Sequence, residues 1–141
     1  MKTIILKVDA IKPNPEDIKK AVEVLKKGGI VAFPTDTVYG IGADIFNKDA
    51  VERIFSAKGR NSRKPLQVLI ADKTDLNLIT ESYFDILHRL VDKFMPGALT
   101  IVMPAKSDFP KWVTCGLDTV GVRMPANTLA LEMIKAFGRP I

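Results

Sequence analysis

The chain has 141 residues, enough for one domain with a hydrophobic core and too few for two ordinary domains. Hydrophobic residues make up 47% and charged residues 26%, as in soluble globular proteins, and no apolar run reaches the roughly 18–20 residues of a membrane span. The net charge of +5 favours an anionic partner such as a nucleotide, a phosphate or a nucleic acid, although solvated lysines explain it equally well.

The N-terminal part predicts a strand followed by a helix. Residues 3–8 (TIILKV) are predicted to form a short strand and not a signal peptide, because no small-residue cleavage site follows them. Asn14 and Pro15 are typical of an N-cap and a first helical position. Apolar residues then recur at helical spacing until Gly28 and Gly29 end the helix.

A buried strand is predicted over residues 30–34, followed by a turn rich in hydroxyl groups. The group Thr35, Asp36, Thr37 and Tyr39 could hold a small polar ligand through its hydroxyls, or Pro-Thr-Asp could simply be turn chemistry. The next helix is capped by Asn47 or Asp49. Its apolar stripe leads to Lys58, whose ammonium should emerge at the domain edge or line a cleft, because burying it unpaired is costly.

The rest of the chain alternates strands and helices. The predicted elements are strand 66–71, a short helix or turn over 72–80, a helix from residue 81 or 82 to 94, strand 99–103, irregular residues 105–117, strand 120–124, and a helix capped by Asn127 and ended by Gly138. This mixture predicts an α/β or α+β fold with one mixed sheet.

Four cations lie within seven residues: Lys58, Arg60, Arg63 and Lys64. They could neutralise a polyphosphate, or they could belong to a solvated loop. No glycine-rich phosphate loop is present, so side chains would have to hold a nucleotide. Arg123 lies in an apolar strand and needs a partner or a ligand carboxylate, unless it points to water from an edge strand.

The single cysteine and the single histidine argue against a disulfide framework and a His/Cys metal site, so a reducing cytoplasm is the expected compartment. His88 is predicted to lie on a helix surface. Cys115 has no neighbouring base in sequence, which argues against a nucleophilic role. Aromatic residues are not interleaved with the basic ones, so a stacking platform for single-stranded nucleic acid has little support.

Four segments in order, PTDTVYGIGADIFN, KGRNSRKPL, MPGALTIVMP and GLDTVGVRMP, resemble the YrdC-like family, the threonylcarbamoyl-adenylate synthases. The resemblance covers residues from about 17 to 141 and implies one YrdC-like domain over 1–141. The implied fold is a twisted mixed sheet with surrounding helices and a basic concave face. The implied reaction joins L-threonine, bicarbonate or carbon dioxide, and ATP into threonylcarbamoyl-AMP and pyrophosphate, for the threonylcarbamoyladenosine modification of tRNA.

The resemblance also implies site residues. Thr37 would hydrogen-bond the substrate threonine, Thr35 and Tyr39 would shape its pocket, and Arg123 would clamp its carboxylate.

For the nucleotide, Lys58 and Arg60 would bind the phosphates of ATP and stabilise charge on the α-phosphorus. Lys64 and Thr119 would also contact ATP. Mg²⁺ would accompany the nucleotide. Catalysis would then consist mainly of positioning and electrostatics, without a covalent enzyme intermediate.

Two departures from the family pattern stand out. Leu69 occupies a position where long members carry a histidine, which we interpret as a difference of subtype. The family continues beyond Gly-Arg-Pro-Ile into a Ser-x-Asn motif that completes the nucleotide site, and residues 140–141 look like the start of another strand. We therefore expect the domain to be incomplete at its C-terminus.

Other functions remain open at this stage. The chain could be a family relative that binds RNA on its basic face without making the adenylate, or a carbamoyl-transfer domain of a larger maturation protein. For the enzyme, the expected partners are ATP, L-threonine, bicarbonate, tRNA indirectly or weakly, and other tRNA-modification proteins. The expected location is cytoplasmic, without a membrane.

Overall fold

The computed structural model describes residues 3–9, 11–81 and 85–141. The elements in these residues follow in the order α1 (Pro15–Lys26), β1 (Val31–Phe33), β2 (Gly40–Gly42), α2 (Lys48–Lys58), β3 (Val68–Leu69), a 3₁₀ helix (Lys73–Leu78), α3 (Asp85–Phe94), β4 (Ile101–Pro104), α4 (Lys111–Thr114), β5 (Thr119–Arg123) and α5 (Thr128–Phe137).

Helix ends lie where the capping residues predict them. Asn14, Asn47 and Asn127 each accept a hydrogen bond from a backbone N–H in the following turn, at 3.0–3.1 Å. Gly59 and Gly138 follow α2 and α5 with left-handed φ of 57° and 84°, where a glycine has no steric penalty. The choice between Asn47 and Asp49 as cap is thereby decided for Asn47. The predicted start of α3 at residue 81 or 82 lies at the edge of the undescribed residues 82–84 and stays a prediction; the described part of α3 begins at Asp85.

The strands form two small sheets in the described residues, not the single sheet predicted. β1 pairs antiparallel with β2, Phe33 opposite Gly40. The other sheet has the order β3-β5-β4, with β3 parallel and β4 antiparallel to β5. The strands divide into two sheets because the backbone hydrogen bonds of β1 go to β2, the strand that directly follows it in the chain. The predicted α/β class with mixed strand directions is confirmed, whereas the basic concave face remains a prediction.

Three local predictions are wrong. Residues 3–8 form no strand: no described backbone pairs with them, and Ile5 is 90% exposed. Strand 66–71 is reduced to Val68–Leu69, and at its N-terminal side the N–H of Leu66 bonds the carbonyl of Val113, outside the sheet. The segment 105–117, predicted to be irregular, contains the short helix α4.

Two large apolar clusters form the core. The first joins α1 and α5 to β1 and contains Ile18, Val22, Leu25, Phe33, Leu129, Ala130, Met133, Ile134, Phe137 and Ile141. The second packs the three-stranded sheet against α2, α3 and α4 and includes Val51, Val68, Ile70, Leu87, Val91, Ile101, Met103, Val113, Val120 and Val122. Both sheets are therefore held against helices, and the space between them is walled by apolar side chains.

The last residue extends the three-stranded sheet. Ile141 and Leu69 exchange both backbone hydrogen bonds, at 2.8 and 3.0 Å, as an antiparallel pair does. Ile141 thus lies along the edge of β3 that faces away from β5, which agrees with the strand start predicted there. None of the helices in the described ranges is long and apolar enough to cross a membrane.

Candidate functional site

A cavity of about 250 Å³ opens between the β1–β2 pair, the C-terminal end of α2 and strands β3 and β5. Six of the eight predicted site residues line it: Thr35, Thr37, Tyr39, Lys58, Arg60 and Arg123. Lys64 and Thr119 are exposed and are not among the lining residues. The structure therefore brings together residues up to 88 positions apart (123 − 35) in one place.

The turn between β1 and β2 is internally hydrogen-bonded. The Thr35 hydroxyl donates to the carbonyl of Val38 at 2.6 Å, and the backbone N–H of Thr37 donates to Thr35 Oγ1 at 3.2 Å. The two threonine hydroxyls lie 3.2 Å apart. Because the Thr35 proton is already given to Val38, Thr37 is the donor in that pair. The hydroxyl groups are thus oriented by the turn itself.

Arg123 is buried in the wall of this cavity, with 8% of its surface exposed. Its Nε donates to the carbonyl of Gly97 at 2.9 Å, one terminal nitrogen donates to Thr37 Oγ1 at 3.1 Å, and the other donates to Asp36 Oδ1 at 2.5 Å. The alternative of an edge arginine pointing to water is therefore wrong. The sequence did not reveal Asp36 as its partner, because 87 positions separate the two residues.

The backbone around Gly97 leaves no room for a side chain at that position. Its carbonyl accepts from Arg123, and its N–H donates to the carbonyl of Met124 at 2.8 Å, so it follows the end of β5 closely. A Cβ there would lie 2.6 Å from the carbonyl oxygen of Phe94, which only a backbone shift could relieve. The glycine of the MPGALT segment thus helps to hold the cavity arginine.

The two cations after α2 differ in their partners. Lys58 is exposed, and its ammonium has no hydrogen bond or ion pair within the described part of the chain. Arg60 donates to the carbonyls of Lys64 and Pro65, at 3.2 and 2.9 Å, which curls the basic loop around its guanidinium. Lys58 is therefore available for an anionic ligand, while Arg60 also organises the loop that carries Lys64.

The remaining lining is mostly apolar. It comprises Phe33, Val38, Gly40, Ile41, Gly42, Ala43, Ile45, Val51, Ile54, Leu66, Leu69, Val113 and Ile141, together with the polar Gln67. Leu69 thus does lie at the site. Our sequence analysis missed Gln67, although its spacing of two from Leu69 places both on one face of a strand. The cavity suits a small ligand that combines charged groups with an aliphatic part.

Neither Cys115 nor His88 lines the cavity. His88 is exposed on α3, as predicted. Cys115 is half-buried after α4, and burial raises the pKa of its thiol, partly offset by the charge of Arg60. A raised pKa disfavours the thiolate and hence nucleophilic chemistry. Among the described residues, no cluster of three or more His, Cys, Asp or Glu could hold a metal ion.

Comparisons with known proteins show the family to which this chain belongs. The Sua5/YciO/YrdC family model, described as "Telomere recombination", matches residues 23–141. The chain is 45% identical over 134 residues to a threonylcarbamoyl-AMP synthase of Bacillus subtilis, covering 94% of this chain and 39% of that protein. It is 44% identical over 124 residues to one of Pyrococcus abyssi, covering 88% and 36%. The chain thus spans less than two fifths of these two relatives.

Solved structures give the same result. Sua5 of P. abyssi, complexed with L-threonine, superposes with a TM-score of 0.88 at 41% identity, over 92% of this chain and 38% of that one. YciO of E. coli superposes with a TM-score of 0.82 at 28% identity, over 92% and 63%.

Proposed function

The chain belongs to the Sua5/YciO/YrdC family, as its sequence segments indicated, and from this we propose that it is a nucleotidyltransferase that makes L-threonylcarbamoyl-AMP. The substrates would be L-threonine, bicarbonate or carbon dioxide, and ATP, and pyrophosphate would be released. One observation carries the proposal: a single cavity joins oriented threonine hydroxyls, a buried arginine and the cations at the end of α2.

The amino-acid part of this proposal depends on the β1–β2 turn and β5. Arg123 supplies N–H donors for a carboxylate, and Arg–carboxylate pairs are strong when they are desolvated. Thr37 Oγ1 donates to Thr35 and accepts from Arg123, so the site left on it suits a donor such as an amine or a hydroxyl of the ligand. Thr35 and Tyr39 complete this side of the cavity.

The nucleotide part depends on Lys58 and Arg60, with Lys64 and Thr119 as outer contacts. In the proposed reaction, the threonine amine adds to carbon dioxide with loss of a proton, or condenses with bicarbonate with loss of water, to form a carbamate. A carbamate oxygen then attacks the α-phosphorus of ATP. The bond from that phosphorus to the bridging oxygen of the β-phosphate breaks, and pyrophosphate leaves. Lys58 and Arg60 would stabilise the negative charge that develops on the α-phosphoryl oxygens. Mg²⁺, for which the described residues offer no acidic cluster, would be held by the phosphate oxygens of the nucleotide.

The product is a mixed anhydride and a reactive acyl donor. We propose that it supplies the threonylcarbamoyl group for tRNA modification, in the cytoplasm and together with other proteins of that process. The tRNA would meet this chain only indirectly or weakly.

A pyrophosphate-release assay tests the proposal. We expect pyrophosphate only when ATP, L-threonine and bicarbonate are all present, and a product with the mass of threonylcarbamoyl-AMP. Omitting each substrate in turn is the control. Release that ignores threonine, or no release together with no calorimetric binding of L-threonine, would contradict the proposal.

RNA binding without adenylate synthesis is the second candidate. It is favoured by Arg63 and Lys64, which are exposed on the basic loop and are not among the residues that line the cavity. RNA binding that survives Lys58→Ala and Arg60→Ala, in a protein that releases no pyrophosphate, would put this candidate first.

A further inference from the structure

We infer that Asp36 is a positioning residue: it holds the guanidinium of Arg123 so that the donors left on that group receive the carboxylate of the amino-acid substrate. The inference rests on the proposed function, in which Arg123 binds that carboxylate. It assigns a role to a side chain that does not line the cavity and that acts through another residue.

The donors of Arg123 can be counted. A guanidinium has five N–H groups in one plane. In the described structure three are used, on Gly97, Thr37 and Asp36. Two remain, one on each terminal nitrogen. Because the group is planar and rigid, fixing three of its donors also fixes the direction of the other two. A carboxylate that approaches this arginine therefore meets donors whose directions are already set.

The ion pair is well placed to do this. Its side chains are 10% and 17% exposed, so solvent screens it far less than a surface pair. Asp36 comes from the β1–β2 turn and Arg123 from β5, so the contact joins the two sheets that wall the cavity. Without Asp36, the guanidinium would lose its only carboxylate partner in the described residues, and its link to the β1–β2 turn would be reduced to the hydrogen bond with Thr37 Oγ1.

Another interpretation is that Asp36 imitates the substrate carboxylate and must be displaced by it. The hydrogen bonds of the turn argue against this. Thr35 binds both Val38 and Thr37, and Thr37 binds Arg123, so the backbone on both sides of Asp36 is held while the ion pair is made. A substrate carboxylate would instead have to turn the Asp36 side chain away from a guanidinium that Thr37 and Gly97 still hold. The two interpretations predict opposite changes in threonine affinity.

The test is calorimetric titration of the full chain with L-threonine, followed by KM values for threonine and for ATP. For Asp36→Ala we expect threonine affinity to fall roughly 10- to 100-fold, as when other partners that orient a binding group are removed, and the KM for ATP to change by less than about threefold. Asp36→Asn keeps an oxygen acceptor and the shape of the side chain, so threonine affinity should fall less in this variant. It also serves as the second variant if Asp36→Ala folds poorly.

Two controls separate positioning from general damage. Asp92→Asn removes the charge of another aspartate, which pairs with Lys73 at 2.6 Å on the surface. This variant should change neither the threonine affinity nor the KM for ATP. In an Arg123→Ala background, Asp36→Ala should have no further effect on threonine binding, because Asp36 acts only through that arginine.

The outcomes are distinguishable. If the unmodified chain binds no L-threonine, the proposed function fails and this inference with it. If the unmodified chain binds threonine and Asp36→Ala binds it equally well or more tightly, the inference alone is overturned. Equal losses for threonine and ATP would assign Asp36 a merely structural role and would also overturn it.

Discussion

The three cations of the cavity have very different surroundings. Arg123 is buried and held by three hydrogen bonds. Arg60 is exposed, but two backbone carbonyls of its own loop bind it. Lys58 has no partner in the described residues. Because a cation gains most from a phosphate when it gives up no other contact, Lys58 should be the most sensitive of the residues proposed to bind the nucleotide.

We therefore predict that Lys58→Ala lowers the rate of pyrophosphate release by roughly 10²–10³-fold, the cost of removing one group that stabilises transition-state charge. The free energy of unfolding should change by less than about 0.5 kcal/mol, because the side chain is exposed and unpaired. Lys48→Ala is the matched control: Lys48 begins the same helix and faces Glu52 at 3.7 Å. An equal loss in both variants would contradict the prediction.

Cys115 gives a prediction about pH. Burial raises the pKa of its thiol, and the charge of Arg60 lowers it by less. The thiolate fraction at neutral pH is therefore smaller than that of an ordinary cysteine, and alkylation by iodoacetamide should be slower, increasing only as the pH rises beyond the usual thiol range. Arg60→Ala should slow the alkylation further, because the opposing charge of Arg60 is lost. Mass spectrometry across pH 7–10, with free cysteine as reference, measures this.

At the scale of elements, the β1–β2 pair is the part on which the site is built. It presents the hydroxyl turn at one end, and Gly42 lies within it against the core. A Cβ on Gly42 would lie 2.8 Å from Ile141 Cδ1 and 2.9 Å from Phe33 Cε1. Phe33 is 1% exposed, and a methyl group at position 42 would have to displace its ring or the end of the Ile141 side chain, so the close approach of these elements depends on this glycine.

Gly42→Ala should accordingly destabilise the protein by about 1–3 kcal/mol, the usual cost of overpacking a core. Gly40→Ala is the control in the same strand, since its Cβ would meet Phe33 at 3.4 Å, an ordinary contact. Urea denaturation of both variants gives the comparison. If Gly42→Ala unfolds at the same urea concentration as the unmodified chain, the packing argument is wrong.

At the scale of the whole molecule, one ion pair ties the C-terminal residues to the segment between β2 and α2. Arg139 pairs with Asp44, whose side chain is only 7% exposed. The guanidinium also lies over the rings of Phe46 and Phe137, 5.7 and 5.2 Å from their centroids. Arg139 is two residues before Ile141, which lines the cavity. We therefore expect a loss of these contacts to affect both the folding stability of the protein and the binding of a ligand in the cavity.

Arg139→Ala should cost about 1–3 kcal/mol of unfolding free energy, because it leaves the buried carboxylate of Asp44 without its cation. Adding Asp44→Asn should recover part of that loss, since the uncompensated charge disappears. Equilibrium denaturation of the single and double variants measures the coupling. Strictly additive effects would show that the pair does not act as a unit.

Much of the local structure was predictable from sequence, because it arises within a few residues. The caps at Asn14, Asn47 and Asn127 are bonds between a side chain and the next turn, and Gly59 and Gly138 end helices by their own backbone freedom. The family resemblance added the identity of the site residues, and six of the eight line one cavity. Their roles toward threonine and ATP remain predictions.

What the sequence by itself determined is therefore every helix except the short α4, most of the strands, the α/β class and the family. Only the tertiary structure decided that residues 3–8 form no strand, that the strands divide into two sheets, and that Arg123 is buried against Asp36. The physical reason is that a strand or a buried charge needs a partner from elsewhere in the chain. An apolar alternation or a lone arginine is the same in sequence whether or not folding brings that partner within hydrogen-bonding distance.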